Sequence, residues 1–462
     1  MSESYAQPSP AVPVNPEPPG VPAAPAMPPG PPAPPIPPNQ PYRRGRALWR
    51  NAAVRAAVVF TLLALCGLVI LALVHERTGT AGFLVGLGLA VLPVPLLLAA
   101  FRWLDQVRPG PWQNLCFAFA WGACAAALIA IIANTFAMRW IATGTADPSG
   151  VDKLGATAIA PVVEEIAKAA AVLLLFHRRR LHFTGLVDGV VFAGFTATGF
   201  AFTENILYLG RAFGEDQAAG YAGVALMTAG TFFARIIMSP FAHPLFTAMT
   251  GIGFGFAATA LRHQRFRRFA LPPLGLVLAM GMHALWNGSA TYGGVGFLLV
   301  YAAFMVPVFG LLTWLAVWTR QSELRTIGGE LATYAAAGWL VPEEPLALSS
   351  MRARSMARGF AARWYGGKGA ARAVTEYEAF ATSLAFLRNR ARRGAAAADF
   401  PAREQELLHQ LWQRRSVAGP ALVYAARMTG RVRTPWPPYA PYGAPGQYLP
   451  PHVPPHIPPQ RH

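Results

Sequence analysis

Three apolar stretches of this chain carry acids, a lysine, histidines and carboxamides at helical spacing. They read AIAPVVEEIAKAAAVLLLF over 158–176, GFAFTENILYL over 199–209 and GMHALWNGS over 281–289. A further histidine, His243, stands alone in SPFAHPLFTAM. Glu164 and Lys168 are spaced i, i+4 and share one helix face, while Glu165 is turned from them by about a quarter turn. Phe200 and Glu204 repeat that spacing, with Asn205 directly after, and so do His283 and Asn287. These residue types suit hydrolysis of a peptide bond. A glutamate takes the proton from water, a histidine or second glutamate orients that water or holds a metal, and a His/Asn pair donates to the developing oxyanion.

Each motif taken singly has a plainer reading. Glu164 can neutralise Lys168 as an intrahelical ion pair and leave Glu165 to bind a neighbouring helix. Glu204 can pair with Arg211 or Arg235, His243 can be a satisfied core histidine, and His283 with Asn287 can fasten two helices by hydrogen bonds. The conjunction of all four on separate apolar stretches favours a site, and Glu165 ranks above Glu164 as its acid because Lys168 does not share its face.

The elements that position these groups are helices in a bilayer. Hydrophobic residues make up 54% of the 462, and apolar runs long enough to span lie near 54–75, 80–101, 112–137, 155–176, 186–209, 241–261, 270–290 and 295–318. A charged side chain at bilayer depth costs about 2.5–3.5 kcal/mol, so Glu164, Glu165 and Lys168 together cost about 7–10 kcal/mol. The nine Ile, Val, Leu and Phe residues between 155 and 176 return only about 0.3–0.6 kcal/mol each. An isolated helix does not close that difference. The charges must face one another, a water pocket or a metal.

Arginines set the orientation. Arg43, Arg44, Arg46, Arg50 and Arg55 precede the first run and place the N-terminus in the cytoplasm. Eight crossings then put the basic segments 102–108, 177–180 and 262–268 on the same side, with the tail from Arg320. The stretch 221–240 is read as external, re-entrant or interfacial, because a ninth span would reverse the segment around Arg262. With this topology four helices point their polar groups into the outer half of the bilayer.

The expected fold is all-α: a polytopic membrane bundle of about eight transmembrane helices over 43–319. A disordered, proline-rich cytoplasmic arm over 1–42 precedes it, a cytoplasmic basic helical region over 320–434 follows, and a proline-rich disordered tail closes the chain over 435–462. In the helical region Asp399 is placed to cap a helix with Pro401 in its first turn. No cleavable signal peptide is expected ahead of the first span. Cys66, Cys116 and Cys124 lack disulfide or finger spacing and are read as small core residues. The net charge of +18 sits in short runs between apolar stretches and in the tail, which is the pattern of a multi-pass cell-membrane protein and not of a nucleic-acid binder.

Other hydrolytic signatures are missing. The chain has no HExxH and no GxSxG, and Asp188 in LVDGVV lacks a partner aspartate motif. Here the chain resembles the PrsW family of intramembrane proteases. VVEEIAK (162–168) is similar to that family's EExxK motif and FAFTEN (200–205) to its FxxxEN motif, and His243 and HALWN (283–287) resemble its two later histidine motifs. Lys168 and Glu204 stand where the wider CAAX-prenyl-protease superfamily has Arg and His, which favours the PrsW branch. The resemblance covers about 150–300.

It implies a multi-pass membrane protease that cleaves membrane-anchored proteins, such as anti-sigma factors, near the outer surface. Carried over residue by residue, Glu164 and Glu165 are the catalytic acids, Glu204 and His243 hold the water or a metal, and His283 with Asn287 completes the site. His243, His283 and Glu204 form an open set compatible with zinc; a metal-free, glutamate-activated water is equally compatible. The rival functions are a proton- or cation-coupled transporter and a catalytically silent membrane scaffold. A transporter predicts internal repeats with broken helices in matching positions, whereas the charged motifs here occupy only the second half of the membrane region.

Overall fold

The structure, a computed structural model, describes residues 52–144, 153–178, 183, 185–220, 226–261, 263–395 and 399–432. The proline-rich arm, the tail over 435–462, the arginines up to Arg50, and Arg262 lie outside the described residues. No strand occurs among the described residues. The chain divides into two compact units, one ending at Gln321 and the other beginning at Ser322.

The first unit opens with α1 (Ala52–Val91), which kinks at Gly79. The φ of 68° there lies in the left-handed region that glycine adopts without a Cβ penalty. It is followed by α2 (Val94–Leu104), α3 (Trp112–Ala120) and α4 (Ala127–Gly144), the last two joined by a wide π-helical turn, Trp121–Ala126. A second wide turn, Gly155–Ile159, leads into α5 (Ala160–Arg178), and α6 (Leu186–Ala218) comes next. The stretch read as re-entrant or interfacial is helical over 226–238: α7 (Leu226–Phe232) runs into a wide turn, Phe233–Met238. α8 (Ala242–Thr259), α9 (Arg265–Ser289), α10 (Gly293–Val300) and α11 (Val306–Ala336) complete the order, α11 continuing past the unit boundary.

Four helical stretches are long and apolar enough to cross a membrane: Ala53–Val107, Trp112–Thr143, Leu186–Ala218 and Arg265–Ala336. The first and last have 55 and 72 residues, about 80 and 110 Å of helix at 1.5 Å per residue, against a hydrocarbon core of about 30 Å. Each is longer than one crossing needs. The four stretches take in six of the eight apolar runs. The other two are α5 and α8, which fall short on composition: α5 carries Glu164, Glu165 and Lys168, and α8 has His243 and Pro244 in its first turn and is rich in small residues. Leu96, Phe136 and Trp140 are largely exposed on this unit, the kind of apolar surface that a lipid solvent covers.

The axis of the unit is α6, buried over most of its length. It meets α8 backbone to backbone: a Cβ at Gly189 would lie 2.0 Å from the Gly251 carbonyl oxygen, and one at Gly251 would lie 2.3 Å from that of Gly189. Only glycine permits this approach, which sets the helix of Glu204 against the helix of His243. Thr203 donates to the Ala123 carbonyl at 2.7 Å, tying α6 to the first wide turn, and Trp121 Nε1 donates to the Ala167 carbonyl at 2.9 Å, tying that turn to α5. Val172, Leu175, Phe183, Val191, Phe195 and Phe254 pack into one apolar cluster, and Ala242, Leu245, Phe246 and Met305 form another. The cysteines are free thiols; Cys116 is exposed on α3 and not in the core, because Leu115 and Ala118 supply that helix's buried face.

In the second unit, α12 (Glu343–Leu348), α13 (Met351–Trp364), α14 (Gly367–Arg390) and α15 (Phe400–Met428) follow the end of α11. Ile327, Leu331, Leu348, Tyr377, Leu384 and Leu422 are its buried centre. The Ser350 side chain caps α13 by accepting from the Ala353 N–H. Asp399 stands at the cap position of α15, but its carboxylate takes Arg403 Nε at 2.6 Å instead of the helix's own N–H groups.

Candidate active site

Lys168, fully buried on α5, is the hub of the polar cluster. An ammonium has three N–H donors and no acceptor, and here there are three acceptors. Nζ lies 2.9 Å from Glu165 Oε1, 3.0 Å from His243 Nδ1 and 3.4 Å from Glu164 Oε2. It also sits 3.9 Å from the centre of the Phe200 ring, a cation–π contact one turn before Glu204. The pairing expected from i, i+4 spacing is therefore the longer of the two: Lys168 lies closer to Glu165 than to Glu164.

These donors fix the imidazoles. Because Lys168 can only donate, His243 accepts at Nδ1, and its Nε2–H donates to Glu204 Oε2 at 2.7 Å. His283 donates from Nδ1 to Glu165 Oε1 at 3.2 Å, which leaves Nε2 without a hydrogen bond among the described residues. Glu165, with none of its side chain exposed, also accepts from Thr247 Oγ1 at 2.9 Å. It is held by three donors from α5, α8 and α9. Phe246 stacks on His283 at 4.9 Å between centroids and 21° between planes, locking that ring.

Glu164 is placed differently. Oε1 makes no hydrogen bond among the described residues, and Oε2 has only the long contact to Lys168. Nε2 of His283 stands 3.8 Å from Oε2. Two acceptors at that separation do not bond each other; they frame a place for a water or a cation. Counted with neutral imidazoles, Glu164, Glu165 and Glu204 oppose only Lys168 and Arg235, so the cluster has one negative charge in excess. A proton or a metal cation offsets it.

Glu164, His243 and His283 each offer a donor atom, all within 4.8 Å of one another. Two imidazoles and a carboxylate are the donor set of an open zinc site, and each imidazole is backed by a further carboxylate, Glu204 for His243 and Glu165 for His283. These residue types suit a metal, but His243 would have to exchange the Lys168 N–H at Nδ1 for it, since Nε2 is held by Glu204. This trio differs from the set read in the sequence by one member. Glu204 Oε2 is engaged by His243 and by Arg235 Nη2, and Glu164 takes its place.

Glu164, Glu165, Glu204, His243 and His283 come together from α5, α6, α8 and α9. Asn205 is drawn to the rim, accepting from Arg235 Nε at 2.8 Å. Asn287 is not drawn in. Its Nδ2 donates to the Ala156 carbonyl at 3.0 Å, so it fastens α9 to the turn before α5, and no bond joins it to the cluster among the described residues. Thr247 was not singled out in the sequence, although it lies one turn after His243 on the same face. Arg235 was read there only as a plain partner for Glu204.

Residues 110–312 match the model of the PrsW family intramembrane metalloprotease, a stretch that contains every member of the cluster. No curated protein and no solved structure matches the chain. Over residues 110–312 the chain is thus similar to the PrsW family of intramembrane metalloproteases, which are peptidases.

Proposed function

We propose that the chain hydrolyses a peptide bond of a membrane-anchored protein, with Glu164, and not Glu165, taking the proton of the attacking water. The observation that carries this reading is the asymmetry of the two carboxylates. Glu165 has its charge met by Lys168, His283 and Thr247, whereas Glu164 keeps 8% of its side chain exposed and faces Nε2 of His283. A water between these groups donates to both. Glu164 accepts one proton as the water oxygen attacks the scissile carbonyl carbon. The Lys168 ammonium, whose three N–H groups are engaged, would offset the oxyanion by charge alone. Collapse breaks the C–N bond, and Glu164 returns the proton to the leaving amine, giving a carboxylic acid and an amine.

His283 orients the water, and its own orientation is set by Glu165 and Phe246. His243 is held by Glu204 and Lys168. A divalent cation held by Glu164, His243 and His283 would supply a Lewis acid and a water of lowered pKa, with Glu164 then a ligand and not the base. Zinc suits the donors.

The basic segments support a multi-pass topology of eight crossings with both termini cytoplasmic and the cluster in the outer half of the cell membrane. Anti-sigma factors and similar single-span proteins are the substrate class that the family resemblance implies. The test is cleavage of single-span reporter proteins reconstituted with the full chain in lipid vesicles. The wild type cleaves and His283→Ala does not; equal cleavage by both overturns the reading. Metal analysis of the same two preparations identifies the cation if one is present in stoichiometric amount and is lost with His283.

A further inference from the structure

The helical segment 226–238 is fastened to α6 at two places about three turns apart. At its start, Asp216 accepts from the backbone N–H of Met227 at 3.1 Å and of Thr228 at 2.9 Å, and from Thr228 Oγ1 at 2.6 Å. Near its end, Arg235 reaches back to the polar turn of α6. Nε donates to Asn205 Oδ1 at 2.8 Å, Nη2 donates to Glu204 Oε2, and the guanidinium lies 4.0 Å from the centre of the Tyr208 ring. The wide turn carrying Arg235 is itself closed off: Ser239 Oγ donates to the Ala234 carbonyl at 2.6 Å, and Tyr301 donates to that of Met238 at 2.9 Å.

We propose that Arg235 is a positioning residue for the reaction, acting through Glu204 on His243. Glu204 Oε2 receives both the guanidinium and the His243 Nε2–H. The planar fork of Arg235, held by Asn205 on one prong and stacked on Tyr208, fixes the plane of that carboxylate. The carboxylate in turn keeps the proton on Nε2 and turns the Nδ1 lone pair toward Lys168 and Glu164. A lysine at 235 would keep the charge but not the fork. The segment 226–238 then serves to deliver this one side chain, and the Asp216 clamp sets its register.

The inference rests on the proteolytic reading for its kinetics and stands apart from it in a second measurement. With the vesicle reporter, Arg235→Ala lowers kcat by roughly 10–100-fold, the cost of losing an outer partner of a functional histidine, while KM moves less than about threefold. Arg235→Lys recovers part of the loss. Glu204→Gln and the double variant Glu204→Gln/Arg235→Ala have the same kcat, because the second change removes nothing that the first has left. A wild-type kcat in Arg235→Ala, a loss confined to KM, or additive losses overturn the proposal.

The second measurement is the 15N spectrum of His243 in the metal-stripped full chain. It shows a single tautomer with the proton on Nε2 in the wild type and in Arg235→Lys, and a mixture in Arg235→Ala. An unchanged spectrum in Arg235→Ala overturns the proposal. If the reporter stays intact with the wild type as well, the proteolytic reading fails, and the spectrum alone decides the role of Arg235.

Discussion

Replacing Lys168 by Met removes the one buried cation that three groups share. Its three contacts, at 2.9, 3.0 and 3.4 Å, join α5 to α8 and hold two carboxylates of one helix. Hydrogen bonds to charged groups contribute about 1.5–3 kcal/mol each. Removing one partner of a buried ion pair costs about 3–5 kcal/mol, because the remaining charge has lost its compensation. Here Glu164, Glu165 and Glu204 would be left facing only Arg235. We expect Lys168→Met to lower the stability of the membrane unit by about 3–5 kcal/mol, read as reversible unfolding of the full chain in mixed detergent micelles followed by circular dichroism. The double variant Lys168→Met/Glu165→Gln removes a negative charge together with the positive one. It should lose less than the sum of the single changes, with a coupling of about 2–3 kcal/mol. A Lys168→Met protein within about 1 kcal/mol of wild type would refute the hub.

Three further outcomes follow from other parts of the molecule. Gly251→Ala places a Cβ 2.3 Å from the Gly189 carbonyl oxygen, so α6 and α8 must part; a loss of about 1–3 kcal/mol is expected in the same micelle unfolding, with reduced cleavage because Glu204 and His243 separate. Thr247→Val leaves Glu165 Oε2 without its buried donor, at a cost of about 1–3 kcal/mol, measurable by the same unfolding. In the second unit, burial pushes the Glu344 carboxyl up to about 7, against the lowering effects of the Tyr377 hydroxyl, 2.8 Å away, and of Arg415. Its folded pKa therefore lies above the ordinary 4.5. The stabilisation is complete below pH 4.5 and is lost as pH rises through 7, amounting to about 3 kcal/mol at 1.36 kcal/mol per pH unit. Hydrogen exchange of α12 and α14, corrected for intrinsic rates, should show this decline, and Glu344→Gln should abolish it.

The helices and the polar residues that cluster between them were legible because both follow from local rules. Apolar runs of spanning length predict helices, and a polar or charged residue in such a run must find a partner, which singles out Glu164, Glu165, Lys168, Glu204, His243 and His283. The division of roles among them was not legible. Spacing i, i+4 pairs Lys168 with Glu164, yet side-chain geometry brings Nζ closer to Glu165, a difference of 0.5 Å that no periodicity encodes. Thr247 escapes notice because a threonine in an apolar helix most often bonds its own backbone, as Thr196 and Thr198 do here. Asn287 illustrates the opposite error: its spacing from His283 matches a site pair, but its partner is a backbone carbonyl, which sequence patterns do not reveal. Arg235 depends on where a segment of irregular helix returns to the bundle. That is a property of the tertiary fold.

In the proposed mechanism the less satisfied of two adjacent glutamates moves the proton. The most direct test compares reporter cleavage by Glu164→Gln and Glu165→Gln in vesicles, with the unfolding of each variant measured alongside. Glu164→Gln should lower kcat by about 100- to 10,000-fold while the chain remains as stable as wild type, since that carboxylate makes only one long bond. Glu165→Gln should lose stability, because a neutral amide replaces a carboxylate that meets Lys168, His283 and Thr247. A Glu164→Gln protein that cleaves within tenfold of wild type, or a Glu165→Gln protein that is inactive at undiminished stability, would contradict the account.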